Sequence, residues 1–262
     1  MKVSVSSITT FKACRRKYQL KYIEGLEPIK KSEALQCGSN YHELIEKLYK
    51  NGSVEVDSQN LSKELAMAMA YEKYIYPKLK AKAVEEWHEY KWANNKLVSR
   101  FDGIAEDGNL IEHKTTGSTS LDEYEYNLQW NEQILAYMLI SGKRKVYYTI
   151  CRKPNIRQKK DESESDFFVR MLDWFDDDTE NKIRFVEITH TDVDIEKYKQ
   201  ELEHITNQMQ DCHTNNDLCY RNTLHCNAWN SRCEYASVCL FYNPNEQYAE
   251  FVRSERRNAN GD

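Results

Sequence analysis

Residues 97–116 read LVSRFDGIAEDGNLIEHKTT, and this stretch decides the fold because it predicts a β-hairpin that carries charged side chains. Two β-rich runs, residues 97–105 and 110–115, flank the turn sequence Glu106-Asp107-Gly108. The hairpin is therefore the element around which the rest of the chain is arranged.

The length of the loop decides which side chains share a face of the hairpin. A two-residue loop would place Asp102 opposite His113, whereas a three-residue loop would place it opposite Glu112. The three-residue loop needs a left-handed residue at its third position, and Gly108 stands there. We predict the three-residue loop, which puts Asp102, Glu112 and Lys114 on one face.

Two carboxylates that face each other across a sheet repel by up to about 1 kcal/mol. A divalent cation between Asp102 and Glu112 would reverse that effect, and oxygen ligands suit Mg²⁺ or Mn²⁺. Lys114 is then close enough to position or polarise an attacking water. The alternative is a solvent-facing Glu-Lys pair on an edge strand, which is favoured if this motif stands alone.

Two helical motifs accompany the hairpin. A helix predicted at about residues 38–50 carries His42 opposite its apolar stripe, and an imidazole ligand there would favour Mn²⁺. A helix predicted at residues 123–140 places Gln133 and Tyr137 four residues apart, on one face. Each motif alone is more often structural than functional.

Length and composition indicate an ordinary globular protein. The chain has 262 residues, a net charge of −5 and no apolar run long enough for a membrane span. Residues 1–10 lack the long apolar core of a signal peptide. We therefore expect a cytoplasmic protein whose eight cysteines are free, catalytic or metal-bound. We predict one domain at residues 1–252, with 1–25 and 212–242 forming a cysteine region and 253–262 a flexible tail.

The remaining patterns predict a mixed α/β fold, in which helices flank a central mixed sheet. The segments, in chain order, are a mostly helical stretch at residues 61–89, strands at 145–151, 167–173 and 183–189, and a helix at 192–211.

The order of these motifs resembles the PD-(D/E)xK nuclease superfamily, and more narrowly the RecB-type exonucleases with their CRISPR-associated and phage-encoded relatives. The shared elements run from residue 7 to residue 239 and are Phe11-x-x-Cys14-Arg15-Arg16-Lys17-Tyr18, Gly38-x-x-x-His42, Asp102, Glu112-x-Lys114 and Gln133-x-x-x-Tyr137. The resemblance implies a restriction-endonuclease-like sheet and phosphodiester hydrolysis.

The resemblance also implies roles for individual residues. The implied cation ligands are His42, Asp102, Glu112 and the backbone carbonyl of His113. Lys114 would be the catalytic lysine, while Gln133 and Tyr137 would shape the site and contact the DNA strand. Phe101 stands where many relatives have proline, a departure that is common in this superfamily.

The late cysteines follow the spacing Cys226-x6-Cys233-x5-Cys239, which is wider than that of zinc knuckles. The resemblance implies a [4Fe–4S] cluster on these three cysteines and Cys14, with structural Zn²⁺ as the alternative. Relatives space the first two late cysteines more tightly, so Cys219 is the reserve for Cys226. By analogy with a disulfide, such a clasp would stabilise the fold by up to about 5 kcal/mol.

Two functions from different classes fit these patterns. The first is a DNA exonuclease, plausibly phage-encoded, that acts on single- or double-stranded ends in replication, recombination or repair, with a helicase or recombination protein as partner. The second is a non-catalytic iron–sulfur or zinc DNA-binding adaptor subunit of a nuclease/helicase complex. Tryptophans could stack on unpaired bases, although we expect most of them in the core; they are Trp87, Trp92, Trp130 and Trp229.

Overall fold

The computed structural model describes residues 1–30, 32–56, 59–228, 231–240 and 248–254. The predicted cysteine region is therefore described except at 229–230 and 241–242, and the predicted tail from 255 onward lies outside the described residues. The chain forms two compact units. The first comprises Met1–Lys31, Glu89–Ser99 and Val193–Asp262, and the second comprises Ser32–His88 and Arg100–Asp192.

Strands and helices are interspersed along the part of the chain that the structure describes. The strands are β1 (Lys2–Ser4), β2 (Leu26–Pro28), β3 (Ala81–Trp92), β4 (Asn95–Ala105), β5 (Leu110–Thr116), β6 (Lys145–Arg152), β7 (Ile183–Thr189) and β8 (Phe251–Arg253). The α-helices are α1 (Val5–Ala13), α2 (Arg15–Tyr18), α3 (Glu33–Asn51), α4 (Lys63–Tyr74), α5 (Leu121–Asn127), α6 (Glu132–Ser141), α7 (Glu164–Asp177), α8 (Asp192–Thr214) and α9 (Ala236–Leu240).

In the first unit, β1 pairs in parallel with residues 96–98 of β4, and β2 pairs antiparallel with β8. Ser4 and Ser7 form a capping box that starts α1, since each side chain accepts a hydrogen bond from the other's backbone N–H. Cys14 ends α1 in an extended conformation and precedes α2. The cysteine therefore lies at a break between two helices rather than inside one.

In the second unit, β4, β5, β6 and β7 follow one another in the sheet. The β4–β5 and β6–β7 pairs are antiparallel, whereas β5 and β6 are parallel. A buried core that includes Tyr41, Ile45, Tyr71, Ile111 and Phe175 joins α3, α4 and α7 to the strands. The predicted mixed sheet with flanking helices is confirmed.

The predicted three-residue hairpin loop is also confirmed. Gly103 pairs with Ile111, and the Ala105 N–H donates to the Asn109 carbonyl at 2.8 Å. Gly108 takes a φ of +83°, the left-handed conformation that the loop requires. Continuing the same register by one step places Asp102 opposite Glu112.

Two predicted segments are wrong. Residues 61–89 are not one helix, because α4 ends at Tyr74 and β3 begins at Ala81. Residues 167–173 belong to α7 and not to a strand; Ser163 caps this helix, which buries Phe168, Met171 and Phe175. The segment predicted as a helix at 123–140 is divided into α5 and α6 by a 3₁₀ turn at Leu128–Trp130. The strand predicted at 183–189 is confirmed.

No helix in the part of the chain that the structure describes is long and apolar enough to cross a membrane.

Candidate active site

A cleft of about 700 Å³ opens in the second unit. Four elements supply its polar lining: α3 contributes His42 and Glu46, β3 contributes Glu85, β4 contributes Arg100 and Asp102, and β5 contributes Lys114. The cleft therefore gathers side chains that are far apart in the sequence.

Asp102 is held by two donors. Its Oδ1 lies 3.4 Å from His42 Nδ1, and its Oδ2 accepts the His113 backbone N–H at 2.8 Å. Burial alone would raise the pKa of Asp102, but the hydrogen bond from His42 and the positive charges nearby outweigh it and lower this pKa below its usual value. Asp102 is consequently an ionised carboxylate fixed at the floor of the cleft.

His42 and Asp102 converge with a third residue, Glu85. One ligand atom from each lies within 4.8 Å of the other two, which is the separation expected around a single cation. Burial lowers the pKa of His42, yet the carboxylates of Asp102 and Glu112 raise it overall. The sequence predicted two members of this group and missed Glu85.

Glu85 adopts an unusual backbone conformation in β3. Its φ is +57°, in the left-handed region that non-glycine residues rarely occupy. Arg100 holds it in place, with Nε 2.6 Å from the carboxylate and 3.4 Å from the Glu85 carbonyl. Burial and the charge of Asp102 raise the pKa of Glu85. The sequence signal that could have identified β3 as a strand is the alternation of aromatic and charged residues from His88 to Trp92.

Glu112 is 1 % exposed, and one of its two carboxylate oxygens has a hydrogen-bond partner. Its Oε1 accepts a hydrogen bond from Lys114 Nζ, while its Oε2 is buried without a partner among the described residues. Burial and the charge of Asp102 raise the pKa of Glu112 to about 7, against the opposing charge of Lys114. An orphaned carboxylate oxygen beside a second carboxylate is a feature that a cation ligand would explain.

Lys114 faces the cleft next to Glu112. Burial lowers the pKa of Lys114, but the negative charges of Glu112 and Asp102 raise it overall, so the amine is cationic. A fixed ammonium group at this position can donate hydrogen bonds to an anionic substrate or to a water molecule.

His113 places its ring away from the cleft. The ring is buried against Tyr49 and Tyr71, and its Nδ1 lies 2.7 Å from Thr149 Oγ1. Burial lowers the pKa of His113 to about 3, so the ring is neutral. The predicted contribution of this residue concerns its backbone carbonyl and stays a prediction.

Gln133 and Tyr137 form one hydrogen-bonded unit on α6. Gln133 Nε2 donates to the Tyr137 hydroxyl at 2.8 Å, and that hydroxyl donates to the Arg100 carbonyl at 3.0 Å. Tyr137 is buried against Phe101, with ring centroids 4.7 Å apart. Because Tyr137 is buried and Gln133 is only half-buried, Gln133 is the member of the pair that can contact a substrate.

The structure places the four predicted cluster cysteines together in the first unit. One cavity of about 20 Å³ is lined by Cys14, Cys226, Cys233 and Cys239. The reserve candidate, Cys219, is buried elsewhere, with its thiol 3.6 Å from the Cys212 carbonyl. All eight cysteines of the chain are described, and each is a free thiol.

Burial raises the pKa of the Cys239 thiol. The neighbouring thiols of Cys14 and Cys226 act in the same direction, and Arg16 and Arg221 act against it. The sulfur atoms of Cys14 and Cys226 are thus close enough to affect the ionisation of Cys239.

The raised pKa of Glu112 predicts how the stability of the metal-free protein depends on pH. The protonated form stabilises the fold fully below the unfolded pKa of about 4.5, and this effect is lost as pH rises through about 7. Glu112→Gln should therefore gain stability over the native chain by an order of 1–3 kcal/mol at about pH 8, and much less at about pH 5. Urea unfolding in EDTA measures this difference.

Glu43→Gln, at an exposed position of α3, is the control and should leave the pH dependence unchanged. His42, whose pKa is also raised, adds a loss of stability of the same sign, and the part of this loss that comes from Asp102 remains in both variants. Asp102 adds none in this range, since its lowered pKa leaves it ionised in both states. Equal pH profiles for the native chain and Glu112→Gln would contradict the assignment.

The sequence profile of the PD-(D/E)XK nuclease superfamily matches residues 2–240. A solved structure of an exonuclease candidate from Eubacterium rectale shares 14 % identity, with a TM-score of 0.55 over 92 % of this chain and 89 % of its own. An alkaline exonuclease from Laribacter hongkongensis shares 14 % identity, with a TM-score of 0.40 over 81 % and 90 %.

No curated protein matches the sequence. The likeness to the Eubacterium rectale structure shows a shared fold. The profile match covers most of the chain, so the predicted resemblance to the PD-(D/E)xK nuclease superfamily is confirmed. This chain belongs to the PD-(D/E)XK nuclease superfamily.

Proposed function

We propose that this chain is a metal-dependent deoxyribonuclease that removes nucleotides from DNA ends, an exonuclease rather than an endonuclease, in recombination, repair or replication. The observation that carries the proposal is half-buried Asp102 opposite buried Glu112, beside a cationic Lys114, with one oxygen of Glu112 left without a partner among the described residues. The order of the motifs, which resembles that of RecB-type exonucleases, supports action at ends.

Mg²⁺ or Mn²⁺ fits the donor set of the cleft. His42, Glu85 and Asp102 converge, and Glu112, opposite Asp102 in the hairpin register, has one carboxylate oxygen without a partner among the described residues. Such a cation, when bound, acidifies water and offsets the charge that develops on phosphate oxygens. We propose His42, Glu85, Asp102 and Glu112 as side-chain ligands and keep the His113 carbonyl as a further one.

The protein's own groups supply the rest of the chemistry. Asp102 is held ionised by His42 and the His113 N–H, so the carboxylate needs no rearrangement before it binds a cation. Lys114 is fixed by Glu112 and can orient the attacking water or donate to a nonbridging phosphate oxygen. The Gln133–Tyr137 unit supports the strand that carries Asp102 through the Arg100 carbonyl.

Lys114→Ala should reduce nuclease activity at least about 100-fold, because it removes a fixed positive charge next to the scissile phosphate. The assay uses end-labelled linear DNA and closed circular DNA, single- and double-stranded, with Mg²⁺ or Mn²⁺. We expect loss of linear substrate from its ends and no nicking of the circle. Lys143→Ala, an exposed lysine after α6, is the matched control and should keep full activity.

Unchanged activity in Lys114→Ala would refute the assigned role. Cleavage of the closed circular DNA would show that the protein acts as an endonuclease. DNA binding by the native chain without any cleavage would favour the non-catalytic adaptor function.

Glu85→Gln should weaken Mn²⁺ binding by about tenfold or more, because the variant replaces a proposed anionic ligand by a neutral amide. Calorimetric titration of chelator-treated protein without DNA measures the affinity directly. Glu86→Gln is the matched control, since Glu86 is the next residue of β3 and lies 3.4 Å from His88 instead. Equal affinities for the two variants would exclude Glu85 as a ligand.

We propose that Cys14, Cys226, Cys233 and Cys239 hold a [4Fe–4S] cluster, with a single structural Zn²⁺ as the alternative. The shared cavity supports a four-thiolate site, and Lys17 and Arg221 in its lining would offset the negative charge of the thiolates.

Metal analysis of anaerobically purified protein tests this site. We expect four iron atoms per chain with visible absorption, and loss of most of that iron in Cys226→Ser because the variant removes one of four ligands. Cys219→Ser, at the buried reserve position, should keep the native metal content. One zinc per chain would select the alternative, and a metal-free folded protein would refute both.

A further inference from the structure

Two tryptophans that we expected in the core are instead on the surface. Trp87 on β3 is 70 % exposed, and Trp130 after α5 is 65 % exposed. Trp92 is half-buried, and Trp229 lies outside the described residues. Single apolar side chains on a protein surface are common, so exposure alone assigns neither indole a function, and the surroundings of each residue decide its role.

The neighbours of Trp87 show which face of the sheet it lies on. His88 stacks on Phe101 of β4, with ring centroids 4.5 Å apart and planes 15° apart. Because successive side chains of a strand point to opposite faces, Trp87 lies on the face opposite to His88, and Arg100 lies opposite to Phe101. Trp87 and Arg100 therefore share one face.

That face is the one on which the proposed cation ligands lie. Arg100 lines the cleft and contacts the Glu85 carboxylate at 2.6 Å. Trp87 follows Glu85 by two residues, so their Cα atoms are at most about 7 Å apart. This spacing is about that between neighbouring nucleotides of an extended strand. Glu86, between them in sequence, is directed to the other face, where it lies 3.4 Å from His88.

We propose that Trp87 stacks on an unpaired base of the DNA strand that enters the cleft, while Arg100 contacts a phosphate next to that base. The inference rests on the proposed nuclease function and narrows its substrate to single-stranded DNA or to ends whose last nucleotides are unpaired. A base within a duplex is already stacked on both sides and offers no free face to an indole, whereas an unpaired base does.

Trp130 provides the contrast within the same chain. Its ring packs against Tyr126 with centroids 5.1 Å apart. The helix that carries Tyr126 is acidic, and its Asp122 and Glu125 both pair with Arg184. Arg184, the cation of this cluster, is already paired with two carboxylates, so Trp130 is the matched control for an exposed indole in acidic surroundings.

The experiment measures DNA binding in a Lys114→Ala background with Mg²⁺, so that turnover does not consume the ligand. Fluorescence anisotropy compares a labelled single-stranded oligonucleotide with its blunt duplex. Trp87→Ala should weaken single-strand binding about fivefold to 100-fold and duplex binding less than about twofold. Trp87→Phe should recover most of the affinity, and Trp130→Ala should change it less than about twofold.

Unchanged single-strand binding in Trp87→Ala overturns the inference, as does an equal loss on the duplex or an equal loss in Trp130→Ala. Thermal unfolding and the recovery in Trp87→Phe separate a lost stacking partner from a damaged fold. The proposed function fails separately: a native chain that cleaves no DNA, together with the stated loss in Trp87→Ala, leaves the binding surface intact and removes the enzyme.

Discussion

The repulsion between the carboxylates of half-buried Asp102 and buried Glu112 is the constraint on which the candidate site of the second unit depends. Burying one charged carboxylate without compensation is costly, and burying two side by side is more so. The two carboxylates are compensated unequally. Asp102 lies 3.4 Å from His42 and accepts a hydrogen bond from a backbone N–H. Glu112 accepts a hydrogen bond from Lys114 at one oxygen, and its other oxygen has no partner among the described residues. A divalent cation bound at the unpartnered oxygen of Glu112 would supply the missing compensation.

The fold serves that pair at several points. The left-handed Gly108 fixes the hairpin register that brings the two strands together. Helix α3 carries His42 to the same place, and β3 carries Glu85 in a left-handed conformation at φ +57°. Such a conformation costs on the order of 1–3 kcal/mol and persists where the surroundings require it. Its position beside Asp102 associates the strain with the site.

The sequence was informative where local chemistry determines structure. The hairpin loop followed from one glycine, and the strand at 183–189 was placed correctly from the local sequence. It was misleading where tertiary packing decides: the apolar residues of α7 fit a strand or a helix equally well, and only the packed structure selects the helix. Because β3 was taken as the end of a helix, Glu85 and the exposure of Trp87 were missed. Spacing alone also could not choose between Cys219 and Cys226, since that choice depends on which thiol reaches the cavity.

The most direct test of the central claim is anomalous X-ray diffraction from crystals grown with Mn²⁺. The account predicts a manganese peak in the cleft of the second unit, bound by Asp102 and by at least one of His42, Glu85 and Glu112. A well-ordered cleft with no manganese, or manganese bound only at surface carboxylates away from Asp102, would contradict it.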